Sequence, residues 1–313
     1  MANYLITGGA GFIGSNLARY ILNQGHCVVV LDNLATGRLS NLDDIADQIT
    51  FIEGDIRDPD TVAQAMQGCA GVSHQAALGS VPRSIDDPKT SHDVNVNGTF
   101  TVLDTARKLG IKRIVLAMSS SAYGSHTVSP KHEELPPRPI SPYAASKVAG
   151  EAYAQGFAAS YGLETVCLRY FNVFGPYQDP NGAYAAAIPK FVSALMQGLR
   201  PTIYGDGTQS RDFCYIENVC HANWLALNAP SEQCNGQPMN IACNRQISLN
   251  AIIEKLNALM GTDLPPMYTA ERAGDVKHSL ADVSRAKAMI GYEPQVFFEE
   301  GLERAIGWYR TSL

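Results

Sequence analysis

Short apolar runs alternate with longer stretches of helical period through the first half of the chain. Tyr4–Thr7, Cys27–Asp32, Thr50–Gly54, Gly71–His74 and Arg113–Ser119 read as strands. Between them, Ile13–Gln24, Asp60–Met66 and His92–Leu109 read as helices. Such alternation predicts right-handed strand–helix–strand units around a parallel sheet. Ser129–Pro142, rich in proline and charge, predicts a loop; Tyr143–Tyr161 then predicts a helix and Thr165–Tyr170 a strand. After Asn172 the pattern loosens. Gly and Pro gather at 175–182, 198–207 and 261–275, with helices expected at 184–197, 217–228 and 248–260. The expected fold is α/β: a Rossmann-type doubly wound parallel sheet over 1–172, then a smaller mixed α/β substrate lobe over 173–313. Residues 213–228 are left open to a return into the first domain.

The bulk of the 313 residues is ordinary for a globular chain, 45% hydrophobic and 17% charged. A formal net charge of -6 lacks the basic excess of a nucleic-acid surface, so no nucleic-acid partner is expected. A small anionic ligand remains open, because a few local arginines suffice. Seven cysteines, odd in number and without a C-x-x-C pair, predict reduced thiols in a cytoplasmic protein. No charged and apolar leader opens the chain, and no apolar run approaches the roughly 20 residues of a membrane span. Neither a membrane partner nor a metal site is expected.

The chemistry begins at Gly8-Gly-Ala-Gly11-Phe12-Ile13-Gly14, between a predicted strand and a predicted helix. Glycines there allow a tight turn and close approach to a pyrophosphate, which the helix N-terminus then attracts. Asp32 ends the second strand, 18 residues after Gly14, where an acid binds a ribose 2′-hydroxyl; Asn33 follows it. A carboxylate there repels a 2′-phosphate, so the expected cofactor is NAD rather than NADP. Further on, Tyr143-Ala-Ala-Ser-Lys147 sets a phenol and an ammonium at i and i+4, on one helix face. A cation beside a tyrosine favours the phenolate, which can take a proton from a carbinol. Ser119, Ser120 and Ser121 stand at the end of the preceding strand.

The G-x-x-G-x-x-G spacing and the Tyr/Lys pair resemble the extended short-chain dehydrogenase/reductase superfamily. That resemblance implies an adenine contact at Asp55 and Ile56, a backbone floor at Ala76 and Ala77, and a structural Asn95 holding the central helix. It makes Ser119 the residue that hydrogen-bonds the reacting hydroxyl, with Ser120 and Ser121 able to share the role. The superfamily hosts several reactions on nucleotide sugars. Dehydratases carry Asp-Glu after that Ser or Thr, and decarboxylases carry Ser-Glu; Ser120 and Ser121 supply no acid, as suits a 4-epimerase.

From end to end the chain is similar to UDP-hexose 4-epimerases. Leu168-Arg-Tyr170-Phe-Asn172 resembles the strand leading to their sugar-contacting Asn172, with Tyr170 in the cofactor set. The resemblance further implies a diphosphate arginine at Arg211, a second arginine at Arg272, a ribose-binding acid at Asp275, and a uracil site lined by Ile203 and Tyr204. The stretches holding Gly79, Val81 and Arg83, and Ala187, resemble bacterial UDP-N-acetylglucosamine 4-epimerases. One type of UDP-galactose 4-epimerase has Lys at Gly79 and Tyr at Ser279, so small residues there are expected to widen the sugar pocket. The implied activity is interconversion of UDP-GlcNAc and UDP-GalNAc, with UDP-Glc and UDP-Gal as further substrates, by a homodimer built on Asp93–Leu109 and Ala144–Tyr161. The alternatives are a UDP-glucuronate 4-epimerase and, outside enzymes, an NAD-sensing regulator.

Overall fold

The computed structural model describes residues 1–180, 186–271 and 277–312. Seven parallel strands form its centre: β1 (Asn3–Thr7), β2 (Cys27–Asp32), β3 (Ile49–Glu53), β4 (Cys69–His74), β5 (Arg113–Ser119), β6 (Glu164–Tyr170) and, later in the chain, an edge strand at Asn235–Ile241. From edge to edge the order is Asn235–Ile241, β6, β5, β4, β1, β2, β3. The chain runs outward from β1 through β2 to β3 and then crosses back to β4. A crevice therefore opens beyond the C-terminal ends of β1 and β4, where ligands bind on doubly wound sheets.

Helices cover both faces because alternate strand residues point to opposite sides. Tyr4 and Ile6 join one core with Leu17 and Ile21 of α1 (Phe12–Asn23). Leu5 joins the other with Val62 and Met66 of α2 (Pro59–Met66). The short α3 (Val81–Asp86) and α4 (Pro88–His92) lead to α5 (Thr99–Leu109), and α6 (Pro142–Tyr161) follows β5. Ser141 caps α6 by accepting from the Ala144 amide at 3.1 Å, and Gly162 ends it in the left-handed conformation.

The helix expected over His92–Leu109 is continuous with α4, and its Asp93–Gly98 segment, joining α4 to α5, is π-helical. Its extra residue per turn lets Asn95 reach across to the Leu78 backbone. The chain also rejoins the sheet after residue 172. Beyond β7 (Asn172–Phe174), α7 (Ala187–Met196), β8 (Thr202–Tyr204), β9 (Ser210–Arg211) and β10 (Phe213–Tyr215), α8 (Ile216–Leu227) packs on the sheet and against α1, and β11 (Asn235–Ile241) is the edge strand. Among the described residues no helix is long and apolar enough to cross a membrane.

Candidate active site

A cleft of about 340 Å³ fills the crevice, lined by Gly8, Gly11, Phe12, Ile13, Asp32, Asn33, Asp55, Ile56, Ala76, Ala77, Gly79, Tyr143, Lys147 and Tyr170. The glycines are sterically required. A Cβ on Gly8, whose φ is +70°, would lie 2.7 Å from the Ala76 backbone, and one on Gly14 would lie 2.2 Å from the Gly8 carbonyl oxygen. Gly11 is the N-cap of α1 and has no side chain to accept the helix's first N–H groups. A diphosphate fits that cradle.

Asp32 is buried at the rim. Its carboxylate accepts from the Ala10 amide at 3.0 Å and the Leu34 amide at 2.8 Å. Burial raises its pKa, and the two amides oppose the rise. Asp55 accepts from Arg57 Nε and Nη2 at 2.9 and 2.7 Å and from Asn33 Nδ2 at 2.9 Å; the arginine holds its carboxyl down to about 2. Asn95 does not line the cleft. Its amide bonds Leu78 and donates to Ser146 Oγ at 3.0 Å, and Ser146 donates to the Tyr143 carbonyl at 2.7 Å. Tyr170 receives Asn223 Nδ2 at 2.8 Å and donates to Gln75 at 3.2 Å.

Tyr143 and Lys147 share one face of α6 at the cleft floor. The Lys147 ammonium is buried and donates to the Ala117 carbonyl at 2.8 Å. Burial lowers it to about 8, with Glu151 acting the other way. The Ser119 hydroxyl faces the Tyr143 phenol and pulls its pKa down, but burial outweighs that influence and the phenol is raised. Ser119 Oγ accepts from the Ser121 hydroxyl at 2.9 Å and the Ser121 amide at 3.2 Å. Both lone pairs are thereby engaged, leaving its own proton to donate. Ser120 opens the 3₁₀ turn Ser120–Tyr123.

A second cleft, about 1000 Å³, is lined by Asn172, Ala187, Ile203, Tyr204 and Arg211, with Phe174, Phe191 and Phe213 among its apolar walls. Five of the residues assigned to a nucleotide sugar thus meet in one place. Arg211 Nη1 donates to the Ser210 and Lys277 carbonyls at 3.0 Å each. Gly79 lies on the first cleft, where an added Cβ would meet nothing within 4 Å. Val81 and Arg83 sit on α3, and neither lines the two clefts. Ser279 does not line them either; its amide donates to the Ser210 carbonyl at 3.0 Å, beside Arg211. Arg272 and Asp275 lie outside the described residues.

Sequence reasoning missed Ser84, whose hydroxyl accepts from the Tyr143 amide at 3.0 Å and anchors the first turn of α6. It also missed Asn223. Neither carries a local pattern. The buried pair Glu151–Arg169 was missed too, although Glu151 repeats the i+4 spacing from Lys147.

Three comparisons place this geometry among known proteins. A UDP-glucose 4-epimerase of Mycolicibacterium smegmatis is 36% identical over 312 residues, covering 98% of each chain. A UDP-glucuronate 4-epimerase of Thermodesulfobacterium geofontis is 32% identical over 324 residues, covering 100% of this chain and 98% of its own. The solved structure of a UDP-N-acetylglucosamine 4-epimerase from Methanobrevibacter ruminantium, in complex with UDP-N-acetylmuramic acid, is 37% identical with a TM-score of 0.94, covering 100% and 99% of the two chains. Residues 4–242 match the model of the NAD dependent epimerase/dehydratase family. The chain belongs to that family and is an NAD-dependent enzyme with a Rossmann-type fold.

Proposed function

We propose that the enzyme inverts C4 of a UDP-hexose, with UDP-GlcNAc and UDP-GalNAc as its principal pair and UDP-Glc and UDP-Gal as further substrates. The observation that carries this reading is the Ser119–Tyr143 hydroxyl pair beside buried Lys147, with serine rather than acid at the two positions after Ser119. Elimination of water from the sugar needs a second acid there; inversion does not.

Bound NAD supplies reversible hydride acceptance at C4. Tyr143 takes the O4 proton as C4 is oxidised and returns it when C4 is reduced from the other face. Ser119 donates a hydrogen bond to O4. Lys147 lends positive charge and holds the nicotinamide ribose, while Gly8, Gly11, Asp32 and Asp55 bind the remainder of the cofactor. Arg211, with Arg272, binds the diphosphate, and Ile203, Tyr204 and Ala187 receive the uridine. Rotation of the 4-keto sugar between the two transfers requires the nucleotide to be held tightly and the hexose loosely. The open space at Gly79 supports room for an N-acetyl group.

UDP-glucuronate is the second reading, supported by the Thermodesulfobacterium relative. The chain is read as a cofactor part over 1–172 that carries the first cleft and a sugar-binding lobe over 173–313 that lines the second. It is also read as a homodimer. Phe100 and Leu109 of α5 and Tyr153 and Tyr161 of α6 are exposed and supply an apolar face for the partner. A panel of UDP-sugars followed by product NMR tests the activity. Turnover of UDP-GlcNAc supports the proposal; turnover of UDP-glucuronate alone overturns it.

A further inference from the structure

Below the cleft, α6 carries a third polar group on the face that bears Tyr143 and Lys147. Glu151 follows Lys147 by one helical turn and is 3% exposed. Its two oxygens accept from Arg169 Nε and Nη2, both at 2.7 Å, and Arg169 is 2% exposed. The guanidinium lies over the Tyr123 ring, 4.7 Å from its centroid, while its Nη1 has no hydrogen-bond partner. Tyr123 in turn donates to Asn240 Oδ1 at 2.7 Å. Resting on the reading of Lys147 given above, we propose that Glu151 is a positioning residue: it is the buried counter-ion of Lys147, and Arg169 sets how much of its charge Lys147 receives.

A buried ion pair is weak evidence for stability, since apolar residues of similar volume often do as well. Its place suggests a different use. Lys147 is buried with one neutral acceptor, the Ala117 carbonyl, and burial disfavours its charge. The groups around it on each packed element are few. On α6 they are Tyr143 and Glu151. His74 of β4 is buried, bonded to Thr7 at 2.7 Å and Thr99 at 3.0 Å, and neutral. β5 offers the Ala117 carbonyl and Ser119. β6 offers Arg169 and the buried Cys167 thiol, which burial keeps protonated. Tyr123 follows β5 and stays a phenol. Glu151 is the anion in this set. Cation, anion and cation thus follow one another from cleft to core. Removing the anion weakens the charge on Lys147, whereas removing the inner cation strengthens it.

The test is the titration of Lys147 in the NAD-loaded protein. It is read from the ¹³Cε signal of labelled lysine, assigned by its loss in Lys147→Met, and compared with the pH profile of kcat. Glu151→Gln should move the Lys147 midpoint down by about one pH unit or more, and the alkaline limb of kcat with it. Arg169→Met should move both up. The double variant Glu151→Gln/Arg169→Gln removes the carboxylate and the guanidinium together, so that neither is left buried without the other; it keeps a test available where a single variant fails to fold, and its midpoint should lie below that of the parent. A Lys147 midpoint unchanged in the folded variants, or moved the same way by both single changes, overturns the inference. Failure of the catalytic reading looks different: Tyr143→Phe would then keep its activity, whatever Glu151 does to Lys147.

Discussion

The Ser121 hydroxyl donates to the Ser119 hydroxyl across 2.9 Å. On the proposed function Ser121 orients Ser119 and supplies no acid. Ser119→Ala should lower kcat by about 10²-fold or more, as loss of a group bonded to the reacting oxygen does. Ser121→Ala should cost far less, about five-fold, the worth of one neutral hydrogen bond of ~1 kcal/mol. Steady-state kinetics on the preferred UDP-sugar compares the two. Equal losses would mean that Ser121 itself touches substrate.

Tyr143→Phe removes the proton acceptor and leaves the ring in place. Turnover should fall by about 10²- to 10⁴-fold. Cofactor content, measured by absorbance after denaturation, should stay at the parental level. Loss of cofactor along with activity would assign the phenol to binding instead.

Gly14→Ala places a methyl 2.2 Å from the Gly8 carbonyl oxygen, a backbone atom that cannot swing away. Overpacking of this kind costs about 1–3 kcal/mol. Here it also displaces the loop that faces the phosphates. Thermal unfolding with and without added NAD should show a lower midpoint and a diminished upward shift on addition of cofactor.

Gly79→Lys and Ser279→Tyr probe pocket width separately. Gly79 borders the cofactor cleft with empty space around it, and Ser279 is tied to Ser210 outside both clefts. Gly79→Lys should reduce kcat/KM for UDP-GlcNAc more than for UDP-Glc. The same selective loss in Ser279→Tyr would show that a long side chain reaches the sugar from that loop. Equal loss on both substrates in both variants would remove width as the basis of selectivity.

Asp212 gives the protein a stability that falls as pH rises. The residue is buried, accepts from the Cys243 amide at 2.9 Å and the Ala281 amide at 3.1 Å, and is raised by burial to about 6. The unfolded chain releases this proton near the ordinary 3.8, while the folded chain keeps it to about 6. Between those values the folded state binds more protons, so this contribution is complete below 3.8 and is lost on passing upward through 6. It amounts to about 3 kcal/mol at most. Buried His74, lowered to about 3, acts in the opposite direction as pH falls. The unfolding midpoint of the parent relative to that of Asp212→Asn isolates Asp212, and should rise from pH 7 to pH 4.5.

The cofactor cleft was legible because its determinants are local. Gly8 to Gly14 lie within one turn and one helix start, Asp32 ends an apolar strand, and Tyr143 and Lys147 are one helical turn apart. Their convergence then follows from strand order. What stayed hidden is what acts through long-range contact. Ser84 meets Tyr143 from 59 residues away. Arg169, inside an apolar strand, is paired only because α6 brings Glu151 over it. The β11 strand was hidden for another reason: Gly236 and Pro238 interrupt its pattern. A proline is tolerated there because an edge strand pairs along one side only.

That edge strand bears on how the protein is made. Until Asn235–Ile241 has been synthesised, Thr165–Tyr170 presents unpaired backbone groups along a highly apolar strand, the kind of surface that recruits other chains. The chain through Ile241 must therefore leave the ribosome before the nucleotide-binding sheet can close its last register. A fragment cut after residue 172 would keep every glycine of the cofactor loop and still lack the strand that seals the sheet beside β6.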